Sequence, residues 1–214
     1  MPALPESIFD IAYLIFAIIS GIGLIRKANG RKDIRLMGIA ALLLGCGDAF
    51  HLIPRVLNYW FTGDYTAALG IGKLITSLTM TIFYVLLEQI RINRYHNDQK
   101  QSFTYLIWIL SLMRIALCLF PQNAWTSSDA PVSWGIYRNI PFTLIGILTV
   151  YLWYKDTKED KIFRYLNIAV LLSFAFYLIV VLLAHKIPLM GMFMLPKTVM
   201  YIWIIIMFRK AAGN

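Results

Sequence analysis

Long apolar stretches, separated by short polar segments, run along almost the whole of this chain. A helix that crosses a bilayer needs about 20 mainly apolar residues, and seven segments of that kind are present. Each is predicted to be an α-helix, because a single spanning segment must satisfy its own backbone hydrogen bonds. The predicted helices cover roughly residues 7–26, 34–57, 67–90, 102–120, 136–154, 163–185 and 188–208. We therefore expect an all-α integral membrane protein in which residues 1–214 form a single transmembrane domain, a seven-helix bundle.

The composition agrees with this pattern. The 214 residues are 59% hydrophobic and 14% charged, whereas soluble domains are about half apolar and a quarter charged. The longest polar segments have the length of loops, so we expect no soluble domain. The N-terminal residues lack the basic start of a cleavable signal peptide, and the first helix is expected to be retained.

The positions of the basic residues predict the orientation of the bundle. Most of the 20 Lys and Arg residues fall in the first, third and fifth loops and in the C-terminal tail. By the positive-inside rule these segments are cytoplasmic, so the N-terminus is expected outside and the C-terminus inside, in a plasma membrane of the bacterial type. This topology accounts for the net charge of +9, and we expect membrane lipids, not nucleic acid, as neighbours.

Asp48 is the most informative polar residue, because it lies inside the second apolar stretch. A carboxylate at membrane depth costs several kcal/mol unless it is paired, and it therefore marks a functional site by default. His51 and Arg55 follow at helical spacing and share the face of Asp48. We expect Asp48 and His51 to be the catalytic residues of any reaction, with the carboxylate orienting the imidazole. The alternative for His51 is a packing role near the membrane interface.

Six basic residues lie outside the loops predicted to be cytoplasmic. At about 1.5 Å per helical residue, Lys73, Arg114 and Lys197 fall in the same layer as Asp48, in the outer half of the membrane. Tyr177 of the sixth predicted helix could reach the same layer. The others lie near outer helix ends, where a long side chain can extend to water. The six are Arg55, Lys73, Arg114, Arg138, Lys186 and Lys197.

These cations predict an anionic ligand. Isolated cations in a low dielectric are costly, and Asp48 is the only carboxylate expected in their layer. A phosphate or carboxylate group, such as a phospholipid or lysophospholipid headgroup, would neutralise them, and Arg would bind it through two N–H groups. The alternative is that each cation extends to water or bonds free carbonyls. The expected ligand-binding residues are Arg55, Lys73, Arg114, Arg138, Tyr177 and Lys197.

Other chemistries have less support. The three histidines lie at different predicted depths, so we expect no metal site and no cofactor. Lys197, midway along the seventh predicted helix, is similar to the retinal-binding lysine of rhodopsins. Those proteins have a carboxylate on the third helix, where this chain has Lys73. Glu88 and Arg91 are expected to form a surface ion pair near the cytoplasmic end of the third helix.

The segment Gly47-Asp48-Ala49-Phe50-His51-Leu52-Ile53-Pro54-Arg55 resembles the Gly-Asp-Ala-x-x-Leu-Leu-Pro-Arg segment of lysoplasmalogenase-like (YhhN) membrane proteins. The resemblance implies a polytopic hydrolase that cleaves the vinyl-ether bond of lysoplasmalogens, with Asp48 as catalytic acid. The family has eight helices and the motif in the third. Its histidine in the following helix is replaced here by Leu78, and its second acid by Phe174, so a two-carboxylate mechanism does not transfer.

Two functional hypotheses follow from these observations. The first is an intramembrane hydrolase of lysolipids, in which Asp48 acts as acid or base and the cations hold the phosphate. The second is a non-enzymatic carrier, channel or receptor for an anionic lipid or small molecule. The residues leave open whether the protein is an enzyme.

Overall fold

The computed structural model describes residues 3–95 and 101–213, and within these ranges it contains seven α-helices and no strand. Each helix is long and apolar enough to cross a membrane, which confirms the expectation of seven apolar helices. They are α1 (Ala3–Lys27), α2 (Lys32–Trp60), α3 (Thr66–Tyr95), α4 (Gln101–Leu119), α5 (Val132–Asp156), α6 (Leu166–Leu183) and α7 (Met194–Gly213).

The start of the seventh helix differs from the prediction. The chain forms a 3-10 helix over Pro188–Phe193, and α7 begins only at Met194. Gly191 lies within this segment and has a low propensity for the α-helix. Lys197 therefore lies in the first turn of α7, and its expected position midway along the seventh helix is wrong.

The helices form a closed ring in chain order. Each helix packs against the next, α1 packs against α7, and additional contacts join α3 to α5 and α2 to α7. Because consecutive helices run in opposite directions, α1, α3, α5 and α7 all finish at the same end. We call this end the basic end, since it carries the basic segments described above, and the opposite end, where α1 begins, the cavity end.

The outer surface of the bundle is apolar. On α1, the large hydrophobic residues that face outwards recur every three or four positions, as expected for one face of a helix. A continuous apolar stripe of this kind is unfavourable in water and agrees with a lipid environment. The exposed residues of this stripe are Leu4, Ile8, Ile11, Ile15, Ile19 and Ile22.

Glycines allow close packing of the first three helices. A Cβ atom added at Gly38 of α2 would lie 2.7 Å from Cγ1 of Ile25 and 2.9 Å from the carbonyl oxygen of Gly21 on α1. On α3, a Cβ at Gly72 would overlap the backbone of Phe50 and His51. Small residues let helix backbones approach in this way in membrane bundles. The second contact holds His51 directly against α3.

Buried charges join three helices near the basic end. Arg91 of α3 donates hydrogen bonds to both carboxylate oxygens of Glu88, at 2.8 and 2.7 Å, and also pairs with Asp156 of α5. Thr104 of α4 donates to Glu88 at 2.6 Å. Arg91 is 0% and Glu88 2% exposed. The expected surface ion pair is thus wrong, because α4 and α5 cover it.

The connection between α5 and α6 is fixed by Asp160. The Tyr95 hydroxyl donates to its carboxylate at 2.7 Å, the Arg94 Nε at 3.1 Å, and the backbone amides of Ile162 and Phe163 at 2.7 and 3.1 Å. Burial would raise the pKa of Asp160, but these hydrogen bonds outweigh it and hold the pKa below its ordinary value.

Candidate anion-binding cavity

A cavity of about 580 Å³ lies at the cavity end of the bundle, between α2 to α7 and beneath the connection from α4 to α5. It brings together residues that are far apart in the sequence and were selected there for their charge or depth. No Asp or Glu is among its lining residues in the described part of the chain. The residues that were expected at the site and line this cavity are His51, Lys73, Arg114, Arg138, Tyr177 and Lys197.

Arg114 is the most deeply buried cation of the cavity, with 1% of its surface exposed. Its guanidinium carbon lies 3.2 Å from the centroid of the Phe142 ring. Among the described residues, neither its Nε nor its Nη1 has a hydrogen-bond partner. The aromatic ring offsets part of the cost of burying this charge, but both N–H donors stay without a described hydrogen-bond acceptor.

Lys197 and Lys73 reach the cavity from α7 and α3. Lys197 is 9% exposed, and its Nζ lies 4.8 Å from the ring centroid of Tyr177 and 5.4 Å from that of Tyr201. Lys73 is exposed to the cavity. Neither lysine forms an ion pair with a described carboxylate. Neither lysine is therefore neutralised by direct contact with a described acid.

Arg138 is oriented by groups that sequence reasoning missed. Its Nη1 donates to Oδ1 of Asn123 at 2.7 Å, and its guanidinium carbon lies 4.2 Å from the Trp125 ring centroid. Next to Arg138 on α5, Asn139 accepts a hydrogen bond at its Oδ1 from the Tyr177 hydroxyl of α6, at 2.6 Å. A polar amide within an apolar helix could have marked Asn139 as a site residue in the sequence. No sequence pattern marked Asn123 or Trp125, which lie in the connection from α4 to α5.

Asp48 lies next to the cavity but is not among its lining residues. Its Oδ2 accepts a hydrogen bond from the Tyr13 hydroxyl of α1 at 2.8 Å. Its charge acts on that of Lys197 without forming an ion pair. The half-buried carboxylate thus faces α1, whereas His51, one turn later, lines the cavity with an Nδ1 that has no described partner.

Two further acids accompany Asp48, so the expectation that it is the only carboxylate of its layer is wrong. Glu6 and Asp10 of α1 are each 4% exposed. The helix begins at Ala3, earlier than predicted, and turns both side chains towards α2. Glu6 pairs with Arg55 and accepts a hydrogen bond from Tyr59 at 3.2 Å.

Arg55, expected among the ligand-binding residues, is therefore already neutralised. It does not line the cavity, and the structure separates it from the other five. Charges on the two sides of α2 thus differ in sign: carboxylates lie towards α1, and cations surround the cavity.

Comparison with known proteins gives no assignment. No family model, no curated protein and no solved structure matches this chain.

Proposed function

We propose that this protein binds an organic anion, carrying a phosphate or carboxylate group, in the cavity, and serves as a membrane carrier or receptor for it. The observation that carries the proposal is that Lys73, Arg114, Arg138 and Lys197 line one cavity whose described lining has no acid. Arg114 and Lys197 are buried, and removing two positive charges from bulk water is costly unless an opposite charge accompanies them. A bound anion supplies that charge.

The positions of the donors favour a compact oxyanion. Arg114 has two unused N–H donors and Lys197 a third group, which suits the several acceptor oxygens of a phosphate or carboxylate. The first turn of α5, through Val132 and Gly135, also lines the cavity. The N-terminal end of a helix carries partial positive charge and adds to the attraction.

The size and the walls of the cavity favour an organic ligand over an inorganic ion. Its volume of about 580 Å³ lies in the usual range of small-molecule sites, roughly 300–1,000 Å³. Apolar groups, among them Met80, Phe142, Val180 and Val181, share the lining with the cations. A lysolipid and a smaller amphiphilic acid both have this combination of a charged head and an apolar body.

The test is a binding titration with the purified protein. We expect 1-oleoyl-lysophosphatidic acid to bind, and Arg114→Gln or Lys197→Met to weaken its affinity by about tenfold or more, the loss of one charge-assisted contact. Lys186→Gln, which changes an exposed lysine at the same end outside the cavity, is the matched control. Equal losses in all three variants, or none, would contradict the proposal.

Competition identifies the chemical class of the ligand. Oleate tests whether a carboxylate suffices, and inorganic phosphate tests whether the apolar body is needed. Displacement of the lysolipid by phosphate alone at equal concentration would contradict an organic ligand. If neither lysophosphatidic acid nor oleate binds to the folded protein, the proposed ligand class is wrong.

The lysolipid hydrolase is a second candidate, favoured by the unpartnered Nδ1 of His51 within the cavity. The test is the release of aldehyde from a lyso vinyl-ether phospholipid, with Asp48→Asn as the variant. Release that persists in the variant would remove Asp48 from the mechanism. The binding proposal does not depend on this result.

We further propose that the cavity end faces the outside of a plasma membrane, since the basic loops lie at the other end. Reporter fusions after residue 213 and within the connection from α4 to α5 test this orientation. A cytoplasmic signal from the second fusion would contradict it.

A further inference from the structure

A second pocket lies at the other end of the bundle, between α1 and α7. It has a volume of about 520 Å³ and is separate from the cavity described above. Its lining is partly basic and partly apolar, and it contains no Asp or Glu among the described residues. The residues that carry the argument are Ile19, Ser20, Lys27, Ile206, Arg209 and Lys210.

The basic side chains of this groove have no carboxylate partner within the described chain. Lys27, Arg209 and Lys210 are exposed, and none of them pairs with a described carboxylate. The guanidinium carbon of Arg209 lies 5.8 Å from the ring centroid of Phe16, which precedes Lys27 by three helical turns. This contact places the Arg209 guanidinium against α1, across the groove from its own helix.

Ser20 provides a second and independent indication of a ligand. It is 4% exposed, and its hydroxyl has no hydrogen-bond partner among the described residues. Serines in apolar helices usually donate to the carbonyl four residues before them, as Ser7, Ser77 and Ser111 do here. Ser20 lines the groove, and its buried hydroxyl is a donor without a described acceptor.

We infer that this groove binds an anionic diacyl phospholipid of the leaflet at the basic end. The phosphate would lie among Lys27, Arg209 and Lys210, since basic pockets between transmembrane helices at the cytoplasmic side recognise such headgroups. Ser20 lies about 10 Å further into the bilayer than Lys27. Its hydroxyl donates to an ester carbonyl of the lipid, and the acyl chain packs along Ile19 and Ile206.

Native mass spectrometry of the purified full chain tests this inference. We expect phosphatidylglycerol to be retained more than phosphatidylcholine, and Arg209→Gln/Lys210→Gln to reduce that retention roughly 10- to 30-fold. The matched control is Lys155→Gln/Lys158→Gln, which removes two exposed charges at the same end but outside the groove. An equal loss of phosphatidylglycerol retention in the control would show a general attraction between basic residues and anionic lipid, and it would overturn the inference.

Three further results decide the nature of the site. Ser20→Ala should reduce retention of both lipids about threefold, because they share the ester carbonyl that accepts its hydrogen bond; no change would contradict the ester contact. Displacement of phosphatidylglycerol by soluble glycerol 3-phosphate would indicate a site for a free anion and overturn the lipid assignment. A dimer that forms in place of the lipid adduct would show that a second copy of the chain occupies the groove.

Discussion

Arg114 and Arg91 are both almost completely buried, at 1% and 0% exposed, yet replacing them with methionine should change stability in opposite directions. Arg91 has two carboxylate partners, Glu88 and Asp156. Arg114 has an aromatic ring below it and two N–H groups without a described partner. The two side chains thus form a matched pair that differs in how the charge is compensated.

The change in the free energy of unfolding that each substitution causes follows from these contacts. Each buried donor left without a partner costs about 1–3 kcal/mol, so the two of Arg114 cost roughly 2–6 kcal/mol. The contact with Phe142 returns about 2 kcal/mol. Arg114→Met removes all of these contributions and should raise the free energy of unfolding of the ligand-free protein by about 2 kcal/mol. Arg91→Met leaves two buried carboxylates without their cation and should lower it by about 3–5 kcal/mol.

The assay is thermal unfolding in detergent, in a buffer without phosphate or carboxylate. For a chain of this size, we expect the melting temperature of Arg114→Met to rise by roughly 4–8 °C and that of Arg91→Met to fall. Addition of 1-oleoyl-lysophosphatidic acid should stabilise the wild type and the folded fraction of Arg91→Met, but not Arg114→Met. A melting temperature of Arg114→Met several degrees below the wild type, without ligand, would refute the reasoning.

Two other predictions concern Gly70, which contacts the connection from α4 to α5, and Asp160, in the connection from α5 to α6. Gly70→Ala places a Cβ against the backbone carbonyl of Trp125 and should lower the free energy of unfolding by about 1–3 kcal/mol; Gly191→Ala, which meets nothing within 4 Å, is the control, and equal effects would contradict the close contact. Asp160→Asn should flatten the dependence of stability on acid pH. In the folded protein the pKa of Asp160 lies below its unfolded value, which is near 3.9. The carboxylate therefore stabilises the protein above that pH, and this stabilisation is lost as the pH falls through the folded pKa. Parallel stability profiles of variant and wild type in acid would show that Asp160 does not contribute.

The sequence predicted the features that depend on one helix at a time. The length of each apolar stretch was sufficient for seven helices, and the rise per residue placed Lys73, Arg114 and Lys197 in one layer, where they do share a cavity. Features that depend on contacts between helices were missed. The pairing of Glu6 with Arg55 requires α1 to face α2, and no periodicity within either helix specifies that partner.

The same limitation explains the errors at both ends of the bundle. Glu88 near a helix end looked solvent-exposed, and only the packing of α4 and α5 over it makes it buried. The apolar stretch before α7 looked like a regular span, but it contains a 3-10 turn that moves Lys197 to the start of the helix. Hydropathy does not distinguish a 3-10 helix from an α-helix.

The pairing of Glu88 with Arg91 has a consequence for how the protein is made. The two residues lie one turn apart on α3, so the helix already contains its own counter-charge when it leaves the ribosome. In a membrane-spanning α3, this local pair reduces the cost of placing either charge in lipid. Asp156, at the end of α5, is synthesised later and adds a second carboxylate to a pair that α3 already contains.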